Sequence, residues 1–203
     1  MFGLTEEEIR ILDALDSPKK IQDFLESFPI NAEENGDTCM SPRRVLRERK
    51  AHCIEGAMLA ALALRIHGHR PLVLDMTAAK FDSDHVIAIF KQDGYWGAIS
   101  KTNHAVLRYR EPIYKTIREL VMSYFHEYFD NEVGKKSLRS YSMPVDLSIF
   151  DSRGWMTSEN DVWYVPIHLQ KVRHFPVVNR KQIANFRKPD LIEFEAGKIL
   201  QWE

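Results

Sequence analysis

The chain has 203 residues, with 28 Lys+Arg against 29 Asp+Glu for a net charge of −1, 44% hydrophobic and 11% aromatic side chains, and two cysteines. This size and balance describe one folded domain with a substantial core, and exclude both a disordered chain and a protein that coats nucleic acid by bulk charge. Cys39 and Cys53 are too few for a disulfide framework or a Cys-rich zinc site.

No basic and then apolar leader is visible in MFGLTEEEIR, and the longest apolar run, Ala57 to Leu64, is too short to cross a bilayer. A cytoplasmic protein is the expectation, with no membrane and no nucleic acid as partner, and no cofactor or metal. In a reducing compartment a cysteine is either packed inertly or kept for its reactivity.

The first elements are helical. Thr5 and Glu8 form a capping box ahead of Ile9, Leu12 and Leu15, and Ser17-Pro18 starts a second helix with Ile21, Phe24 and Leu25, ending near Pro29. Asn31 to Pro42 reads as loop. The following run, Arg43 to Lys50, reads as a solvated basic face, or alternatively as a positive rim that acidifies a nearby thiol.

From Ala51 the chain reads AHCIEGAMLAALALRIHGHR, apolar on nearly every side and closed by Gly68, which predicts a helix buried in the middle of the domain. Pro71 to Met76, His85 to Lys91 and Tyr95 to Ser100 are strand-like, the last two joined by a turn at Gln92-Asp93-Gly94. Glu111-Pro112 is expected to open a long amphipathic helix running to just before Gly134. In the remainder, about 137–203, Val162 to Leu169 is the clearest strand and the whole reads as β-rich. The fold class is therefore α+β, a central buried helix packed against an antiparallel sheet, in a single domain of residues 1–203 with its core at about 43–130 and N-terminal helices at 5–29.

Cys53 falls at the amino end of the buried helix, where unpaired N–H groups and the helix dipole favour a thiolate. His85 opens a strand 32 residues later, and a Cys on a helix start facing a His on a strand is the nucleophile and base pairing of thiol catalysis. A third residue, orienting the imidazole, is expected from the next strand. Antiparallel retracing brings Ser100 beside the start of the His85 strand, and Asn103 is an amide alternative. The other conspicuous residues have plainer readings. Asp82 and Asp84 read as a turn that bonds its own backbone, His67 and His69 as caps at the end of the helix that His52 precedes, and Tyr95, Trp96 and Trp155 as core aromatics.

The segment AHCIEGAMLAALALRIHGHRPLVLDM followed by DHVIAIFKQDGYWGAIS, within about Arg43 to Ser100, resembles the core of the transglutaminase-like superfamily of papain-fold thiol enzymes. In that family a Cys opens the central helix, a His opens a following strand and an Asp closes the next. The resemblance implies that Cys53 is the nucleophile and His85 the base, with Ser100 at the Asp position, and that the substrate is a peptide, protein or small amide cleaved or transferred through a Cys53 acyl-enzyme. Two alternatives accompany it. One is a binding or scaffold domain of the same fold that has lost the acidic triad member. The other is an acyltransferase similar to arylamine N-acetyltransferases, on the strength of Cys53-Ile54-Glu55, although Arg49-Lys50-Ala51-His52 replaces the Arg-Gly-Gly usual before that cysteine.

Overall fold

The computed structural model describes residues 2–34 and 36–202. Three helices precede the central one: α1 (Glu6–Asp13), α2 (Pro18–Glu26) and α3 (Pro42–Glu48). Each starts where its sequence signals it: Thr5 and Glu8 close a capping box on α1, and Ser17 and Ser41 accept from Lys20 N and Arg44 N ahead of Pro18 and Pro42. The basic run at Arg43 is thus largely helix, with Val45 and Leu46 buried beneath it. The central helix, α4 (Cys53–Ile66), is buried from Ile54 to Leu64, and its alanines let neighbours approach closely on every side.

Seven strands, β1 (Leu72–Thr77), β2 (His85–Gln92), β3 (Tyr95–Ile99), β4 (Arg110–Tyr114), β5 (Ser140–Ser142), β6 (Val145–Asp146) and β7 (His174–Pro176), form one open antiparallel sheet. Its order is β4-β3-β2-β1-β5-β7, with β6 also on β1. β2 and β3 pair from Ala88↔Ile99 to Gln92↔Tyr95, so the turn is the two-residue Asp93-Gly94, both at positive φ (50° and 87°), the twist a tight hairpin needs.

Strand alternation distributes the sheet between two cores. Val73, Val86, Ala88, Phe90 and Ile99 face α4, while Leu72, Leu74, Met76, Ile87, Ile89 and Ala98 pack on the opposite side against α5 (Ile117–Met122) and the turns after it, chiefly Leu120, Val121, Tyr124 and Tyr128. The sheet is thus covered on both faces, with α4 sandwiched between it and the N-terminal helices.

Two expected elements differ. Residues 110–114 are the edge strand β4, which tolerates Pro112 and leaves Ile113 exposed, and the helix begins only at Thr116, whose capping box with Glu119 outcompetes the Glu111-Pro112 start. It ends at Met122, and Tyr124 and Tyr128 follow in turns, their hydroxyls donating to the Arg108 carbonyl (3.0 Å) and to the Met76 and Ser83 carbonyls (3.1 and 2.9 Å).

Within Val162 to Leu169 the structure places a helix rather than a strand, α6 (Tyr164–Lys171). Val162, Val165 and Leu169 are the buried residues, a spacing of three and four, and Pro166 sits in the first turn where no intrahelical N–H is required. The C-terminal third is accordingly not β-rich. It carries β5, β6 and β7, a 3-10 turn (Leu147–Arg153), α6, α7 (Arg180–Ala184) and α8 (Leu191–Gly197). No helix among the described residues is long and apolar enough to cross a membrane.

Candidate active site

The start of α4 is built around a buried carboxylate. Glu55, in the first turn of the helix, has no exposed surface, and its oxygens accept from the backbone N–H of His52 (3.0 Å) and Met40 (2.8 Å), the Thr38 hydroxyl (2.8 Å) and the Asn31 amide (3.1 Å). Burial alone would push this carboxyl up, but the His52 ring and these donors hold it down at about 2. Glu55 therefore caps the helix and ties the loop 31–40 to it, which fixes the direction in which Cys53 leaves the first turn.

Cys53 itself is half-buried. Burial opposes its ionisation, yet hydrogen bonds and charge from the two rings beside it, His52 and His85, bring the thiol down to about 5. Cys53 N–H precedes the first bond of the helix, Gly56 N to His52 O at 2.9 Å, so the helix dipole acts in the same direction.

The two imidazoles are held differently. His52 Nε2 faces only acceptors: the Thr38 carbonyl (3.0 Å), Glu55 Oε1 (3.4 Å) and Glu33 Oε1 (3.5 Å). That nitrogen must carry a proton, and although burial disfavours a charged ring, the bonds to Cys53 and Glu55 raise His52 to about 11. Charge on the Cys53 thiol and charge on the His52 ring thus favour each other, with Glu55 and Glu33 behind the ring.

His85, buried at the start of β2, puts Nε2 2.8 Å from Ser100 Oγ. The Ser100 hydroxyl donates its only proton to the Leu107 carbonyl, so toward His85 it can only accept, which puts a proton on His85 Nε2 and leaves Nδ1 as the nitrogen that gains or loses the second. Ser100 is in turn fixed through its backbone, which accepts from Gln22 Nε2 (2.8 Å) and donates to Gln22 Oε1 (3.0 Å).

Gly56 lets this end of the hairpin approach α4. A Cβ there would lie 2.5 Å from Lys101 Cβ, so no other residue fits without displacing the segment that carries Ser100.

Of the residues singled out by sequence, Cys53, His85 and Ser100 converge. Asn103 does not: its side chain donates to the Trp202 carbonyl (2.8 Å) and accepts from Trp202 N (2.9 Å), pinning the C-terminal segment instead of a ring. Cys39 is fully buried, with its thiol pushed up by burial and by the Glu55 charge, and is inert. Asp82 and Asp84 bond nearby N–H groups as turn residues do, Ser83 N at 2.8 Å and Ala78 N at 2.7 Å. His67 closes α4 and lies 3.1 Å from the Leu12 carbonyl, and Trp155 is core.

Sequence reasoning missed the pairing of His52, the anchoring by Gln22, and Asp75. The one available signal was the spacing of His52 and Glu55, three apart across a helix start. Gln22 lies 78 residues from Ser100 and no local pattern announces such a contact.

A cleft of about 130 Å³ opens beside the thiol, lined by Cys53, Ile54, Asp75, Asp84, Val86 and, from α6, Pro166, Leu169 and Gln170. Asp75 Oδ2 lies 3.3 Å from His174 Nε2 at the wall of the cleft, and burial raises its carboxyl. Among the described residues no group of three or more His, Cys, Asp or Glu side chains is placed to hold a metal ion. The chain matches no protein-family model and no curated protein sequence.

Proposed function

We propose that the chain is a thiol enzyme with a papain- or transglutaminase-like core, hydrolysing or transferring the acyl group of an amide substrate through Cys53. The observation that carries this reading is a thiol at the start of α4 that lines a cleft and whose ionisation the His52 and His85 rings favour.

In the proposed cycle the Cys53 thiolate attacks the substrate carbonyl carbon. A C–S bond forms, and the carbonyl π electrons move to oxygen beside the Cys53 N–H. Collapse breaks the C–N bond. The leaving amine takes its proton from the His52 imidazolium, which becomes a stronger acid once its thiolate partner is consumed. Water or a second amine then attacks the thioester, giving its proton to His85 Nδ1, and the thiolate leaves. That proton finally returns from His85 to His52.

Ser100 orients His85 without supplying charge, while Glu55 and Glu33 supply charge behind His52. The acidic partner absent from the end of β3 is thereby replaced on the other imidazole, which favours an enzyme over a scaffold. Glu55 is committed to capping α4, which accounts for the Cys-x-Glu pattern without an acetyl-transfer role.

The test is intact mass after incubation with activated acyl donors, an acyl-peptide thioester or p-nitrophenyl ester, with and without an amine. One acyl adduct on Cys53, discharged by water or amine and lost in Cys53→Ala, supports the reading. A chain that alkylates at Cys53 but acylates with no donor would overturn it in favour of the scaffold.

A further inference from the structure

Away from the Cys53 cleft, five cations surround a second cavity of about 310 Å³: Lys135, Lys136 and Arg139 on the approach to β5, and Arg187 and Lys188 beyond α7. No carboxylate lines it, in a chain whose total charge is −1. Arg187 pairs with Asp190, but among the described residues Lys135, Lys136, Arg139 and Lys188 form no ion pair. The remaining wall is apolar: Phe81, exposed on the connection between β1 and β2, with Ile183 and Phe186.

These cations are not all loose surface side chains. Arg139 is half-buried, its Nη1 donates to the Lys136 and Leu138 carbonyls (3.0 and 3.1 Å), and its guanidinium stands 6.0 Å from the centre of the Phe186 ring, itself packed edge-on against Phe125. The walls are sewn together by Arg139 N to the Thr77 carbonyl and Ala79 N to the Ser137 carbonyl, both 2.8 Å, and by the Ser137 hydroxyl on Asp82. Burial lowers the basicity of Arg139, as expected of a guanidinium that has lost water and gained no counterion. A pre-positioned guanidinium with donors to spare, flanked by lysines and facing an aromatic wall, matches a ligand with a compact multivalent anion at one end and a flat apolar body at the other.

We propose that this cavity binds a small organic phosphate, its phosphoryl oxygens on Arg139, Lys135 and Lys136 and its planar body between Phe81 and Phe186. This goes beyond the Cys53 reading and does not depend on it. Phe81 and Asp84 lie on the same short connection, so the two sites are neighbours along the chain.

The experiment is titration of the full chain with phenyl phosphate at low ionic strength, followed by amide-resolved NMR. Saturable shifts are expected at Phe81, residues 135–139 and residues 183–188, with a Kd of about 1 mM or tighter. Phenol and inorganic phosphate should each bind at least about fivefold more weakly, since one lacks the charge and the other the ring. Arg139→Gln should weaken binding about tenfold, while Phe81→Ala and Lys136→Gln, at positions whose loss the fold tolerates, should each weaken it about threefold. Absence of saturable shifts, inorganic phosphate binding as tightly as phenyl phosphate, or affinity unchanged in Phe81→Ala and Lys136→Gln would each overturn the proposal.

Discussion

The paired imidazoles make a quantitative prediction for His52→Gln. The Cys53 thiol moves from an ordinary 9.0 to about 5 against the opposition of burial, a displacement worth about 5 kcal/mol of interaction favouring the thiolate. The His52 hydrogen bond is the largest of the contributions that favour the thiolate, ahead of those of His85. Gln keeps a donor for the Thr38 carbonyl and leaves the backbone N–H of position 52 on Glu55, so the cap survives while the charge is lost.

The desolvation cost stays behind, so losing about half of the favourable interaction should raise the inflection of the thiol by at least about two pH units, to about 7 or above. The assay is the pH profile of iodoacetamide alkylation in a Cys39→Ala background, with mass spectrometry counting adducts at Cys53. A rate at one pH would mislead. A thiolate of higher pKa is intrinsically more nucleophilic, with a Brønsted slope of about 0.4–0.5, and that gain nearly offsets the roughly tenfold loss of thiolate at about pH 6. The position of the inflection is the readout, together with a higher plateau above it. An inflection within about 0.3 of wild type in a folded His52→Gln chain would refute the pairing of His52 with Cys53.

Two further outcomes follow from the same geometry. Ser100→Asp should not create a stronger triad: a buried carboxylate cannot donate to the Leu107 carbonyl as the hydroxyl does, so we expect a loss of about 1–3 kcal/mol in denaturant unfolding and no fall in the thiol inflection. A stable Ser100→Asp chain with a more acidic thiol would contradict that account. For stability against pH, the Cys53 contribution is present above 9.0 and lost as pH falls through about 5, whereas the His52 contribution is present below 6.5 and lost as pH rises through about 11. The two slopes oppose each other between 6.5 and 9.0, so the melting temperature should show a plateau there and fall on both sides, and Cys53→Ala should flatten both limbs, with Glu33, Glu55 and His85 as the titratable neighbours left in place. Limbs of undiminished slope in Cys53→Ala would assign the pH dependence elsewhere.

What the sequence made legible is what neighbours along the chain decide. The starts of α1, α2 and α4, the buried character of α4 and the hairpin of β2 and β3 rest on local spacing and cap chemistry, and Cys53, His85 and Ser100 come together because a helix start, a strand start and an antiparallel return fix their places. Residues 110–114 and 162–169 each carry two competing signals, and in both the local one loses. Glu111-Pro112 imitates a helix start in a segment that β3 recruits as an edge strand, and Val162 to Leu169 has strand-like composition but helical burial spacing.

The site shows the same division. His85 and Ser100 are legible because a single hairpin joins them. The charge on His52 is not, because its counter-ions and acceptors, Glu33, Glu55 and Thr38, come partly from a loop that a buried cap folds back over the helix start. A serine where an acid is expected looks like a lost function when one imidazole is considered. In the proposed reading a second imidazole beside the thiol takes the negative charge that stabilises an imidazolium, from Glu33 and Glu55, and the pH profile of Cys53 with each histidine removed in turn measures which ring it serves.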